Sequence, residues 1–183
     1  MTGAELTNFT TAKMRVSQVA LHISDNASRI GSGSLLTSKQ ISEAQINDLL
    51  TGAGLQAGSL NLYSRGRVVL SSLEGDPNHT GKYRIRWQRC RGSKALSSHY
   101  GTAGQDNLTG IVANGQLITT PDSGAVMFVE IAYDYRPLIS STFVPKTEIT
   151  DIAAMTVRDN RDLTGPTGGV GIYNTEAVTP STC

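Results

Sequence analysis

The chain has 183 residues, of which 38% are hydrophobic and 17% charged, and its 16 Lys+Arg against 15 Asp+Glu leave a net charge of +1. That length suits one domain with a sizeable core, and the composition excludes a wholly disordered chain. The near-neutral balance gives no global field for nucleic acid or an anionic membrane, so neither is expected as a partner.

The first apolar residues to recur at helical spacing are Phe9, Ala12, Val16, Val19, Ile23, Ala27 and Ile30. They form one stripe and predict an amphipathic helix over residues 9–31, stopped by Gly31 and Gly33. Met14 and Leu21 lie off that stripe, where they either widen the buried face or meet a partner; widening is the expectation. A second helix is predicted over 37–53, opened by Thr37 and Gln40 at capping-box spacing and closed at Gly52 or Gly54.

Strands follow. Leu60 to Tyr63 and Val68 to Leu70 read as a hairpin around Ser64-Arg65-Gly66-Arg67, with Gly66 supplying a positive φ. Glu74 to Asn78 reads as a turn. Tyr83, Ile85 and Trp87 then alternate with Lys82, Arg84, Arg86 and Gln88, which predicts a strand with one apolar and one basic face. Residues 92–123 form a long irregular excursion with a small helix or hairpin. Ala125 to Tyr135 predicts a central strand ended by Pro137. A last strand falls within Asp151 to Arg158, and residues 171–174 add a short edge segment. The order gives a single α+β domain over 1–183, with helices on one face of a mostly antiparallel sheet spanning 58–183.

Cys90 and Cys183 are separated by 93 positions. No CxxC pair accompanies them, and His22, His79 and His99 lack ligand spacing, so no metal site is expected. Two readings remain open, a pair of free thiols or a disulfide that ties the tail to the core. The disulfide is the expectation; it requires an oxidising compartment and contributes about 4 to 5 kcal/mol in the chain-entropy model. The 18 Ser and 20 Thr make the surface rich in hydroxyls, in keeping with export, although Met1 to Glu5 carry no signal-peptide pattern.

Other motifs weigh little against simpler explanations. Ser97, Ser98, His99 and Asp106 contain the residue types of a hydrolase triad without a positioning motif, and read as a polar loop. The glycines at 52, 54 and 58, and those between 165 and 171, miss nucleotide-binding patterns. Glu148, Asp151, Asp159 and Asp162 lack EF-hand spacing and sit beside Arg158 and Arg161, which oppose a cation. The row Lys82, Arg84, Arg86, Arg89 and Arg91 reads as a solvated sheet face. No catalytic, cofactor or metal residue is assigned.

Three stretches carry a family resemblance: Trp87-Gln88-Arg89-Cys90-Arg91-Gly92, Val129 to Leu138 (VEIAYDYRPL), and the terminal Ser181-Thr182-Cys183. Across most of residues 10–183 the chain resembles the TadE/TadG-like minor pilins, or pseudopilins, of bacterial tight-adherence (Flp, type IVc) pilus systems. The resemblance implies an exported, membrane-anchored protein on the periplasmic face of the inner membrane or in the pilus. Its expected partners are other minor pilins, the major pilin and the assembly machinery. Nothing before Phe9 matches the hydrophobic opening of family members. Residues 9–30 are therefore expected to be the outer half of the pilin helix, with membrane contact only through a segment preceding this sequence. The alternative expectation is a surface adhesin whose 92–123 excursion binds a carbohydrate or host surface.

Overall fold

The computed structural model describes residues 3–34, 37–121, 123–138 and 147–183; Met1 and Thr2, read above for an export signal, lie outside them. Helix α1 (Gly3–Arg29) presents the expected stripe, with Ala12, Val16, Val19, Ile23 and Ala27 buried and Phe9 and Ile30 packed at its ends. It begins six residues earlier than the apolar spacing predicts because the stripe continues through a charged residue. Glu5 is fully buried, and its Oε1 accepts from Tyr135 Oη at 2.7 Å and from Leu138 N at 3.2 Å. A count of apolar positions passes over such a residue. At about 1.5 Å per residue α1 is about 40 Å long.

The second helix is displaced from its expected position. Residues around 39–42 run extended, bridging Ser32, Arg161 and Tyr173, and α2 (Glu43–Ala57) starts only after them. Its capping box is Ser42 with Gln45, not Thr37 with Gln40. Gly52 and Gly54 sit inside α2, and the stop is Gly58 at φ 52°. Gly54 is there for close packing, since a Cβ on it would stand 2.5 Å from Tyr63 Cε2.

The expected hairpin around 64–67 is also overturned. A 3₁₀ turn (Gly58–Leu60) and a single helical turn, α3 (Leu62–Arg65), bury Leu60 and Leu62 instead. Gly66 has φ −148° and opens β1 (Gly66–Gly75); a Cβ there would lie 2.6 Å from Ala132 O, so close strand approach selects the glycine.

Strands β1, β2 (Tyr83–Arg91), β5 (Ala125–Asp134) and β6 (Glu148–Thr156) form one antiparallel sheet in the order β2-β1-β5-β6. Helix α1 packs on β5 and β6, and the main core lies between the helices and this face. Within the excursion, β3 (Ile111–Ala113) and β4 (Gln116–Ile118) make a small hairpin. Ile111, Tyr100, Leu108 and Ile118 cover the opposite face of the sheet with Leu73, Ile85, Val126 and Phe128. The alternation read in β2 is broken by a bulge: Ser72 pairs with Trp87 but Leu73 with Ile85, leaving Arg86 unpaired in the ladder. Trp87 therefore joins the helix-side core and Ile85 the other one. The strand does not present one apolar and one basic face.

Candidate functional site

The largest departure from the expected surface lies on α1. Met14 and Leu21 do not widen the core; they are 54% and 47% exposed, and Leu6 is 49% exposed. At 100° per residue these three share one side of α1, turned well away from the stripe that meets the sheet. Leu55 of α2 is 78% exposed. Large apolar side chains at helical spacing, on a helix whose other side is already packed, make the outward side of α1 the best candidate for protein contact. None of the helices among the described residues is long and apolar enough to cross a membrane.

The structure joins Cys90 and Cys183, with their Cα atoms 4.8 Å apart. The tail is also held by hydrogen bonds from Cys90 N to Ser181 O (2.7 Å), Asn47 Nδ2 to Thr179 O (3.0 Å) and Ser181 Oγ to Asn47 Oδ1 (2.6 Å). It meets β2, an outer strand of the sheet, at Cys90, while residues 104–108 bond the other end of that edge at Tyr83 and Ile85.

The residue types of a triad do not assemble into one. His99 Nδ1 is 2.7 Å from Glu130 Oε1, while Ser98 Oγ donates to Glu130 Oε2 at 3.1 Å; serine and histidine thus share one carboxylate. Asp106 lies elsewhere, beside Asp76 and His79. Glu130 was missed from sequence, although a single acid inside the apolar run VMFVEIAY is a visible signal. Ser97 is exposed in the loop.

No family model matches the chain, and neither a curated protein nor a solved structure does.

The basic row of β2 is not a solvated face. Arg89 donates to Glu43 through Nε (2.8 Å to Oε2) and Nη2, and Arg91 Nη1 donates to Thr51 Oγ1 at 2.6 Å while its guanidinium lies over the Tyr63 ring. Burial pushes the Tyr63 phenol up to about 12, despite the opposing field of Arg91. The acidic residues near 160 are likewise engaged. Lys39 Nζ donates to Asp159 Oδ2 at 2.7 Å, and the hydrogen bond from Tyr173, aided by Gly165 and Thr164 N–H, holds Asp162 below its usual range. Glu148 pairs with Lys94 at 2.9 Å.

Asp76, His79 and Asp106 bring their ligand-type atoms within 4.8 Å of one another. Burial opposes the charge of Asp76 but is outweighed by the N–H groups of Asn107 and Asn78 and by His79, so its carboxyl falls to about 2. Its oxygens are used inside the turn: Oδ1 accepts from Asn78 N, and Oδ2 from His79 Nδ1 and Asn107 N.

Proposed function

We propose that the chain is the globular part of a minor pilin or pseudopilin of a tight-adherence pilus system, acting through protein–protein contacts at the periplasmic face of the inner membrane or in the fibre. The observation that carries this reading is the outward side of α1. A 27-residue helix laid on an antiparallel sheet leaves Leu6, Met14 and Leu21 exposed along its length. A tail locked by a disulfide supports passage through an oxidising compartment. The three sequence stretches around Trp87, Tyr133 and Cys183 supply the family; the helix surface supplies the means of contact. Other minor pilins, the major pilin and the assembly machinery are the partners in this reading, and no catalytic step is assigned.

The test is site-specific photo-cross-linking in piliated cells, with the photoreactive residue placed at Met14 or Leu21. Cross-links to pilin components are expected from both positions. Met14→Glu with Leu21→Glu is expected to abolish piliation while the melting temperature of the purified protein stays unchanged. Normal piliation in that double variant, with no pilin among the cross-linked products, overturns the reading.

One observation favours the adhesin alternative. Val112 and Leu117 are 62% and 58% exposed on the β3–β4 hairpin. Glycan-array binding that is lost in Val112→Ser with Leu117→Ser, with piliation intact, selects it.

A further inference from the structure

The turn end of the β1–β2 hairpin opens on a cavity of about 470 Å³, walled in part by Glu74, Lys82, Tyr83, Arg84, Arg86 and Pro121. That volume falls within the range of small-molecule sites, roughly 300–1,000 Å³. The bulge at Arg86 turns this arginine out of the ladder, and its Nη2 donates to Gly169 O at 3.0 Å. Arg84 Nη2 stands 3.8 Å from Glu74 Oε2, too far for a hydrogen bond. A third guanidinium, that of Arg161, is 7% exposed and close enough to Glu74 for their charges to interact. Its Nη2 donates to Ala27 O and Ile30 O, closing the end of α1.

These three cations are poorly matched inside the protein. The Nε of Arg84, Arg86 and Arg161 and the Nη1 of Arg161 are buried with no acceptor among the described residues. The acceptors of Arg86 and Arg161 are uncharged carbonyls. Of the two carboxylates among the described residues of the cavity wall, Asp76 is committed to His79 and the turn, and Glu74 is the other; Asp159, held by Lys39, adds its field to Arg161 from outside the wall. Burial pushes Glu74 up to about 7, against the pull of Ser72 and the three arginines, so at neutral pH it carries only part of a charge. Removing guanidinium groups from water without a full counter-charge is costly, and an external anion offsets that cost while supplying acceptors.

We propose that this cavity binds a doubly charged oxyanion, phosphate or sulfate, free or as the ester of a small polar molecule. Guanidinium forks match the oxygen geometry of such ions, and Lys82 adds a point charge in the wall. The space beyond an inorganic ion, flanked by Tyr83, Pro77 and Pro121, gives an ester room for its organic part. The proposal stands apart from the pilin reading, and neither depends on the other.

The test is isothermal titration of the full chain with sodium phosphate, sodium sulfate and glucose 6-phosphate at one ionic strength, with chloride as control. Saturable binding of one anion per chain is expected, and Arg84→Gln and Arg86→Gln are each expected to weaken it about tenfold or more. Lys82→Gln, at the surface of the wall, tests the same site should an arginine variant fail to fold, and is expected to weaken binding severalfold. Tighter binding of glucose 6-phosphate than of phosphate assigns the site to an ester; equal affinities assign it to the free ion. Absence of saturable binding for all three anions, or binding unchanged in the folded variants, overturns the proposal.

Discussion

Arg89 of β2 reaches across the helix–sheet interface and grips Glu43, the first residue of α2, with Nε donating to Oε2 at 2.8 Å and Nη2 donating to Oε1. Both side chains are nearly enclosed, at 12% and 5% exposure. The pair sets where α2 docks, because Glu43 follows the Ser42 cap and Arg89 is held in the β1–β2 ladder opposite Leu70. Removing one partner strands the other charge, so Arg89→Ala and Glu43→Gln are each expected to lower the unfolding free energy by about 3 kcal/mol. The double variant Glu43→Gln with Arg89→Ala is expected to lose clearly less than the sum. Urea denaturation of the four proteins measures the cycle, and strict additivity argues that the two residues act separately.

The disulfide closes a loop of 93 positions and fastens the tail to β2 beside the Cys90 N–Ser181 O hydrogen bond. Cys183→Ser is expected to cost about 2 to 5 kcal/mol of stability. Intact mass after alkylation gives the direct check: neither thiol of the folded protein takes up reagent before reduction, and both do afterwards. Immediate labelling of both thiols in folded protein removes the clasp and the chemical support for export together.

Where sequence and structure agree, one residue class meets one periodicity. The α1 stripe from Ala12 to Ala27 and the apolar run of β5 bury because their spacing matches a helix and a two-sided strand. Where they part, a residue serves something distant in the chain. Glu5 is buried by Tyr135, Gly66 is required by Ala132, and the extended 39–42 stretch pairs with residues beyond 160. The β2 bulge reversed the facing of Ile85 relative to Trp87, a shift that leaves no mark on local spacing. Asn114-Gly115, both at positive φ, is a hairpin dipeptide legible in the sequence and forms the turn of the β3–β4 hairpin. For the candidate surface, the offset of Met14 and Leu21 from the stripe was legible, but their exposure depended on how far the sheet wraps around α1.

Two glycines in α2 make opposite predictions. A Cβ on Gly52 meets nothing within 4 Å, and Gly52→Ala is expected to stabilise the protein by about 0.5 to 1 kcal/mol through helix propensity. Gly54→Ala places its methyl 2.5 Å from Tyr63 Cε2, against a ring whose hydroxyl donates to Leu50 O. Displacing that ring is expected to cost about 1 to 3 kcal/mol, more than propensity returns. Thermal melts of the two variants decide it, and equal shifts in one direction show that the packing of Tyr63 on α2 is loose.

Glu74 makes stability depend on pH in a sense opposite to that of a salt-bridged carboxylate. Its carboxyl is raised from 4.5 to about 7, chiefly by burial, with Ser72, Arg84, Arg86 and Arg161 facing it and pulling the other way. The folded state therefore holds the proton more tightly than the unfolded chain. This contribution is fully present below pH 4.5, is lost as pH rises toward 7, and is constant above that. The loss across this window amounts to about 3 kcal/mol. Glu74→Gln keeps a neutral side chain throughout, so its stability relative to the parent protein is expected to rise between pH 4.5 and 7 and then level off. Urea denaturation at half-unit steps from pH 4 to 8 measures that difference. A flat difference places the Glu74 proton outside the window and returns its carboxylate to the arginines as a full counter-charge.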